Sequence, residues 1–501
     1  MLNLLTAAQT RAADGFTIKH KPITSTDLME KASSAFVQMF RQNFINQDVA
    51  VSVYCGTGNN GGDGLAIARL LKEQGYEQVS VKIVRFNAQS SADFEANLKR
   101  LQLTGITVAE IGNDVDFPEE NAEILIDALL GSGLNRPLDK GYKMLVEHLN
   151  KLQKIMVSVD VPTGFPTEGI IDLHSTTIKA DLVISFQRPK INFFFPESEG
   201  FVKSFRCVDI GLDEQFIQLQ SSGWKLSEPD DILKIIKPRK AFSHKGTFGH
   251  ALIIAGSAET MGAALLCADA CLHSGAGLTT ACIPKEGLAA LNSRSPEIMA
   301  IIRGENVVIN IESDKYQSIA MGPGLGKTDN EIKLLKQVIE NHSGPLILDA
   351  DALNILADQP SLFASLPEKT ILTPHVKEFD RLFGQHGSWW ERIITAKKAA
   401  AEHQIIIVLK NRYSFIVLPT GDVMINPTGN PAMAVGGMGD ILTGVIAAFL
   451  AQGFTAEDSV IAACYIHGRA GDILHEKGGM HCIPPRYLIA ELPKTIGSFA
   501  V

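Results

Sequence analysis

Short apolar runs rich in β-branched residues recur along the first part of the chain, at Val49–Tyr54, Val79–Val84, Ile124–Ile126, Ile155–Val159 and Leu182–Phe186, with segments of helical periodicity between them. A strand that is apolar on successive residues is buried on both faces, so the pattern predicts a parallel sheet covered by helices on either side. The same alternation restarts at Ala251–Ile254 and continues through Leu278–Ile283, Ser318–Met321, Leu346–Leu348, Ile371–Leu372, Ile405–Leu409 and Phe415–Leu418. The chain therefore reads as two consecutive α/β units, the first doubly wound. Between them Gln218–Asp231 (QLQSSGWKLSEPDD) is polar, carries Pro229 and has no sustained period. That predicts a surface linker or crossover, with the boundary near residue 223 and domains at 1–222 and 223–501.

Composition narrows the class. Of 501 residues, 45% are hydrophobic and 20% charged, the balance of a folded globular chain. The net charge is −9 and no stretch collects like charges, which excludes the electrostatic footprint of a nucleic-acid binder. The apolar helix candidate Ile441–Ala456 is shorter than the roughly 18 to 20 residues that span a bilayer and contains Gly444, Gln452 and Gly453, so it reads as a buried core helix and no membrane partner is expected. MLNLLTAAQTRAADG has no basic region before its apolar residues and no cleavage-site pattern, and a cytoplasmic location is expected. Seven cysteines, at 55, 207, 267, 271, 282, 464 and 482, form no CxxC pair and read as reduced, mostly buried thiols. Cys267 and Cys271, on one helical face, read as small core residues.

Glycines mark the chemistry. After VAVSVY comes CGTGNNGGDG (Cys55–Gly64) and then a helical segment, the strand-to-helix turn at which α/β sheets bind ligands. Gly56, Gly58 and Gly61 fit a dinucleotide-binding turn, but the acidic residue that an NAD site wants about 20 positions on is missing, and VKIVRFN offers only Arg85, which could meet a 2′-phosphate. Asn59, Asn60 and Asp63 interleave oxygen ligands with the glycines, which suggests a site for more than a phosphate. DALLGSGLNRPLDKG (Asp127–Gly141) and SVDVPTGFPTEG (Ser158–Gly169) end strands in the same way. All three loops should converge on one crevice, with Asp127 and Asp160 carboxylates that must be paired, solvated or metal-bound there.

CGTGNNGGDG, LLGSGLNRPLDKG and DVPTG together resemble the NAD(P)H-hydrate epimerase domain, and TAAQTRAADGF with LMEKAS resembles its N-terminal helices; the likeness covers residues 1 to about 220. The resemblance implies a Rossmann-like domain in which Asn60, Asp127 and Thr163 bind K⁺. It also puts the hydrated dinucleotide on Asn59, Asn60, Gly61, Gly62, Asp63, Gly131, Ser132, Gly133, Leu134, Asn135, Arg136, Pro137 and Asp160, with Asp160 the acid/base. Thr163 stands where serine is common and keeps the hydroxyl.

In the second unit NPTGNPAMAVGGMGDILTG (Asn426–Gly444) opens a long apolar helix, where Gly436, Gly437 and Gly439 free the backbone to aim amides at an anion and Asp440 sits at the same end. An aspartate there also serves as a plain helix cap. GPGLGKT is no Walker A motif, because Met321 stands where its first glycine should be. GPGLG, DADALN, TPH and NPTGNPAMAVGGMGD resemble the ribokinase-like superfamily and, within it, the ADP/ATP-dependent NAD(P)H-hydrate dehydratases, from about residue 228 to the end. That resemblance makes Asp440 the base and the Gly437–Gly439 amides the anion hole, and it puts the nucleotide on Lys410, Asn411, Arg412, Tyr413, Ser414 and Gly439. Gly324, His375 and Asp440 would contact the hydrated cofactor. Met261, Lys377, Asn411, Ala432 and Met438 depart from the usual pattern, and none removes a proposed catalytic group.

The combined expectation is a bifunctional enzyme that epimerises the R and S hydrates of NADH and NADPH with K⁺ and dehydrates the S form with Mg²⁺ and ADP or ATP, as a homo-oligomer. Three rivals stand beside it: a vitamin-precursor kinase fused to a dinucleotide-sensing domain, an NADP-dependent oxidoreductase using Arg85, and a non-enzymatic N-terminal half that serves as a dinucleotide-sensing or scaffold module.

Overall fold

The first sheet is wound in two directions from its middle. Its strands are β1 (Val51–Cys55), β2 (Val79–Val84), β3 (Thr107–Ile111), β4 (Ile124–Ala128), β5 (Ile155–Val159), β6 (Leu182–Phe186) and β7 (Phe205–Val208). They pair in parallel in the order β3-β2-β1-β4-β5-β6-β7. Alternate residues of these strands feed two cores. One packs under the helices Ser25–Asn43, Asn59–Glu73 and Ala92–Leu101, the other under Lys140–Lys151. The sequence pattern missed β3 and β7 because both are edge strands: most of β3 is exposed, as are Arg206 and Cys207 of β7, so neither shows a continuous apolar run. This computed structural model describes residues 1–86, 89–112, 117, 119–133, 137–304 and 315–500. Leu134, Asn135 and Arg136 of the expected dinucleotide loop lie outside the described residues.

The second sheet contains β8 (Trp224–Leu226), β9 (His250–Ile254), β10 (Leu278–Pro284), β11 (Met299–Arg303), β12 (Ser318–Met321), β13 (Leu346–Leu348), β14 (Ile371–Leu372), β15 (Ile406–Leu409), β16 (Ser414–Val417) and β17 (Val423–Asn426). These run in the order β8-β17-β16-β15-β14-β13-β12-β9-β10-β11, parallel except for the antiparallel β15–β16–β17 meander. Ala251, Ile253, Ala320, Ile347 and Ile406 face a core shared with the helices Met261–His273, Met438–Ala451, Ala456–Gly478 and Pro485–Gly497. Their strand neighbours Leu252, Ile254, Ile319, Leu346 and Ile407 are just as buried on the other face.

Two expectations need correction. The polar stretch Gln218–Asp231 is not a plain linker: Trp224–Leu226 adds to β17 as a parallel strand and Pro229–Ile235 is a helix. A three-residue strand shows no period, and here one buried tryptophan anchors it. The apolar run expected as one helix over Ile441–Ala456 is split, because Met438–Ala451 stops before Gly453 at φ 86° and a new helix begins at Ala456. Contacts divide the chain into Asn3–Ser222 with Ser388–Trp390, and Met1–Leu2 with Gly223–Gly387 and Glu391–Val501. Cysteines 55, 267, 271, 282 and 464 are buried free thiols, and Cys207 and Cys482 are exposed ones. Among the described residues no helix is long and apolar enough to cross a membrane.

The helix Met438–Ala451 can lie against Met261–His273 only because residue 444 is glycine. A Cβ there would fall 2.1 Å from the Cys267 carbonyl oxygen and 3.0 Å from Ala270 Cβ. Gly444→Ala is expected to destabilise the second unit by a net ~1–3 kcal/mol, overpacking outweighing the ~1 kcal/mol gain in helix propensity. Calorimetry checks this as a lowered transition for the second unit and an unmoved one for the first. A variant as stable as the parent would contradict the close contact.

Candidate active sites

In the first unit the winding reverses between β1 and β4, and the loops leaving those strands form a crevice. The turn after Cys55 runs straight into the helix Asn59–Glu73, so the amides of Asn59, Asn60 and Gly61 precede its first bond, from the Gly62 amide to the Gly58 carbonyl at 3.0 Å. A Cβ at Gly61 would sit 1.7 Å from the Gly56 carbonyl oxygen, which is why only glycine closes this turn.

Asp127, on β4 opposite Tyr54 of β1, is buried beside that turn. Its Oδ1 accepts from the Thr163 hydroxyl at 2.7 Å and the Leu129 amide at 3.3 Å. Its Oδ2 accepts from the Thr163 amide at 2.8 Å and the Ser158 hydroxyl at 2.9 Å. Burial pushes this carboxyl up and the four donors oppose it. Thr163 Oγ1 also accepts from the Leu130 amide at 3.0 Å, so one side chain ties the loops after β4 and β5 together. A Cβ on Gly131 would lie 3.3 Å from the Asn60 amide group, and Asn60 Nδ2 is buried with no hydrogen-bond partner among the described residues. A half-turn of that amide presents oxygen instead. With the Asp127 carboxylate and the Thr163 hydroxyl, the donor set is then the all-oxygen one that suits a hard cation.

Asp160, directly after β5, has φ 63°, a left-handed conformation that a non-glycine residue holds only where its surroundings fix it. That turn carries the carboxylate across to β6, where Oδ1 accepts from Lys190 Nζ at 2.7 Å, the Phe186 amide at 3.0 Å and the Ser185 hydroxyl at 3.2 Å. All of these donors meet Oδ1, and among the described residues Oδ2 accepts none. Asp14, on the helix Ala7–His20, is pushed up to about 6 by burial and then by the Asp160 charge, with Lys190 opposing. Asp63 is raised well above its ordinary value by burial and by Asp160, Asp14 and Asp93. The crevice thus gathers the mutually repelling carboxyls of Asp14, Asp63 and Asp160, of which Asp160 is paired with the Lys190 ammonium.

In the second unit the reversal lies between β9 and β12. Asp349 leaves β13 fully buried, its amide donating to the Met321 carbonyl at 3.1 Å, and Lys410 leaves β15 with its amide on the Pro374 carbonyl at 3.1 Å. Lys410 Nζ donates to Asp349 Oδ1 at 2.9 Å, and the Thr443 hydroxyl to Asp349 Oδ2 at 2.8 Å. Burial works to raise the Asp349 carboxyl, but Lys410 and the hydroxyl donors hold it below its ordinary range. Burial likewise works against the Lys410 ammonium, and Asp349 holds it above its ordinary range. Above this pair stands the N-terminus of Met438–Ala451. Gly437 caps it without a side-chain hydrogen bond, and the Ile441 amide makes the bond to the Gly437 carbonyl at 3.1 Å. The amides of Met438, Gly439 and Asp440 are left for an anion. A Cβ on Gly439 would lie 3.3 Å from Lys410 Nζ and 3.7 Å from Asp349 Oδ2. Asp440 is pushed up to about 7, by burial first and then by the Asp349 charge, with Lys410 opposing.

The remaining expected residues lie on the same sheet edge. Gly324 has φ 56° beside Thr260, whose hydroxyl donates to the Gly324 carbonyl at 2.6 Å. His375 caps the helix Val376–Phe383, its Nδ1 accepting from the Lys377 amide at 3.1 Å and the Glu378 amide at 3.3 Å. Its Nε2 lies 3.3 Å from Glu378 Oε1, and the ring is 54% exposed. Asn411, Arg412 and Tyr413 form the turn into Ser414, with Arg412 3.2 Å from the Pro427 carbonyl and 4.5 Å from the centre of the Tyr413 ring. Arg85 is paired with Glu110 at 2.8 Å, which weakens the oxidoreductase reading. Sequence reasoning left Asp14, Lys190, Asp349 and Thr443 without roles. Asp14, Asp349 and Thr443 lay inside the quoted TAAQTRAADGF, DADALN and NPTGNPAMAVGGMGDILTG segments, whereas Lys190 in QRPKINFF carried no local signal.

A family described as the YjeF-related protein N-terminus matches residues 25–192, and one described as NAD(P)H-hydrate dehydratase matches residues 251–494. The bifunctional NAD(P)H-hydrate repair enzyme Nnr of Moorella thermoacetica is 30% identical over 509 residues, spanning 98% of this chain and 96% of that one. Its Escherichia coli namesake is 31% identical over 460 residues, 91% and 87% of the two chains. Among solved structures, the ADP/ATP-dependent NAD(P)H-hydrate dehydratase of Bacillus subtilis, co-crystallised with ATP/Mg²⁺, matches with TM-score 0.50 and 31% identity, covering 56% of this chain and 100% of that one. A ribokinase-like superfamily protein of Enterococcus faecalis matches with TM-score 0.52 and 31% identity over 56% of this chain and 98% of its own.

Thr163→Val deletes the hydroxyl that bridges Asp127 and Leu130 and is expected to destabilise the first unit by about 1–3 kcal/mol, the loss that follows when buried polar partners go unsatisfied. Thr163→Ser loses only a methyl group and is expected to lose no more than ~1 kcal/mol. Urea unfolding followed by circular dichroism separates them, and equal losses would show that the methyl group, not the hydroxyl, matters.

Proposed function

The chain belongs to the family of bifunctional NAD(P)H-hydrate repair enzymes, and from that premise we propose how its two sites divide the work: the first epimerises the R and S hydrates of NADH and NADPH, and the second dehydrates the S form at the expense of ADP or ATP. What supports this reading is the presence, in one chain, of two separate carboxylates, Asp160 and Asp440, each beside glycine-rich turns at the C-terminal edge of its own parallel strands.

In the first site inversion at C6 of the hydrated ring needs a proton moved at oxygen, whether the hydroxyl leaves and returns or the ring opens and closes. Asp160 supplies that group: Lys190 and the Phe186 amide hold Oδ1 still, and Oδ2 exchanges the proton. The helix amides at Asn59–Gly61 and the Gly131–Pro137 loop take the dinucleotide phosphates. Potassium, held by Asn60, Asp127 and Thr163, supplies positive charge that orders the loops and screens phosphate.

In the second site Asp440 accepts the C6 hydroxyl proton as that oxygen bonds to the terminal phosphorus of the nucleotide and the phosphoanhydride bond to that phosphorus breaks, releasing AMP from ADP or ADP from ATP. The amides of Met438–Asp440 stabilise the charge that develops on the transferring group, and Mg²⁺ bound with the nucleotide supplies further neutralisation. Lys410 and the Asn411–Ser414 turn hold the nucleotide. The ring nitrogen then expels phosphate from C6 as a proton leaves the adjacent ring carbon, restoring the dihydropyridine. Gly324 and His375 face the ring.

The test supplies both hydrate epimers with K⁺, Mg²⁺ and ADP or ATP and follows the return of reduced-nicotinamide absorbance. Complete recovery is expected. Asp160→Asn is expected to stop recovery at the S-epimer share, and Asp440→Asn to abolish it while epimerisation continues. A wild-type rate of epimerisation in Asp160→Asn would remove that residue from the chemistry.

A pH series tests the base. Asp440 acts deprotonated, so dehydration kcat/KM is expected to fall about tenfold per unit as pH drops below about 7. A profile flat through neutrality would assign the base elsewhere.

A further inference from the structure

Asp349 has no part in the mechanism above, yet it lies at its centre. It is buried at the end of β13, under the helix N-terminus that carries Asp440. The next residue, Ala350, is held at φ 48°, a strained conformation that fixes where the loop leaves the strand. A buried ion pair is often no more stabilising than an apolar substitute of the same size, so cohesion alone gives this carboxylate little reason to be here.

Its contacts suggest another reason. Lys410 Nζ lies 2.9 Å from Asp349 Oδ1 and would lie 3.3 Å from a Cβ on Gly439, one residue before Asp440. A lysine so placed with no other anion in reach would pair with Asp440 and neutralise the group that has to accept a proton. Asp349 takes that ammonium first, and the Thr443 hydroxyl, one helical turn beyond Asp440, fixes its second oxygen at 2.8 Å.

We infer that Asp349 is a positioning residue for phosphoryl transfer: its carboxylate anchors Lys410 and Thr443 beneath Gly439 and sets a fixed negative charge beside Asp440. The inference rests on the phosphoryl-transfer reading of this site and adds a division of labour between its two carboxylates. Asp349 stays charged to hold the cation, and Asp440 is left to exchange the proton. The other groups around Asp440 do not compete for the role. His467, on Ala456–Gly478, is pushed down to about 4 by burial and is neutral, its Nε2 3.1 Å from the Met438 carbonyl. Cys267, on Met261–His273, is a buried thiol raised well above its ordinary value. Glu378, at the start of Val376–Phe383, acts on Lys410. Asp269 and His273 pair with each other further along Met261–His273, Asp472 of Ala456–Gly478 accepts from Gly429 and Asn430, and Arg486 on Pro485–Gly497 is exposed.

The experiment compares pH profiles of dehydration for the wild type and Asp349→Asn, with thermal melting to show that the variant is folded. Replacing the carboxylate by an isosteric amide frees Lys410 for Asp440 and removes the neighbouring negative charge. Both changes favour ionised Asp440. The acid limb of kcat/KM is therefore expected to move to lower pH by ~1 unit or more, with kcat at its plateau reduced at least tenfold. An acid limb that stays in place, at full or reduced kcat, overturns the inference, because lost packing lowers activity without moving a titration. Wild-type protein alone gives a second measurement, carboxyl ¹³C NMR: Asp349 is expected to remain ionised through the whole range in which Asp440 titrates, and protonation of Asp349 within that range overturns the inference. Absence of nucleotide-dependent recovery in the wild type would instead fail the proposed function. The anchoring claim is then read from Mg–ATP affinity, expected to weaken at least tenfold in Asp349→Asn, an unchanged affinity overturning it.

Discussion

A carboxylate at the end of a strand buried on both faces has to be met by donors that come from elsewhere in the chain, and both sites are built around meeting that demand. In the first unit Asp127 is satisfied by Ser158 and Thr163, which arrive from β5 and the loop after it. In the second, Asp349 is satisfied by Lys410 and Thr443, more than sixty residues away. Leaving either carboxylate unmatched would be severely unfavourable, so the loops that donate are held wherever the carboxylate is. The crevices owe their shape to these buried groups more than to the glycines that line them.

The proton-transfer groups are placed on the opposite principle. Asp160 and Asp440 sit at the rims of the same crevices and keep unmet capacity: Oδ2 of Asp160 takes no protein donor among the described residues, and Asp440 faces Asp349 rather than a cation of its own. Each unit thus separates a carboxylate that is anchored by several donors from one that keeps an oxygen available for proton exchange. The separation needs two different backbone devices, a left-handed residue after β5 and a helix N-terminus capped by Gly437.

The sequence made the parallel strands legible because burial on both faces writes itself as unbroken apolar runs. It made the loops legible because glycine and acidic residues at strand ends are rare without a reason. What it hid follows from the same physics. Edge strands such as Thr107–Ile111 are half solvated and lose the signal, and the short strand Trp224–Leu226 is held by its neighbour β17 rather than by its own pattern. The roles of Lys190 and Thr443 were illegible because they come from what lies across the fold, Asp160 in one case and Asp349 in the other. Asp349 stood within a motif in plain view, but a sequence cannot tell which of two acids two residues apart, Asp349 or Asp351, is the fully buried one.

The distribution of thiols has a practical consequence. Five cysteines are sealed in the cores, and the two that reach the surface, Cys207 and Cys482, fall one in each unit. The Cys207 thiol is pushed up to about 11 by burial. It is a poor nucleophile at neutral pH, and labelling it calls for more alkaline conditions. The unmodified chain therefore carries one surface thiol in each unit, a natural attachment point for a spin label or fluorophore that needs no engineering of the protein.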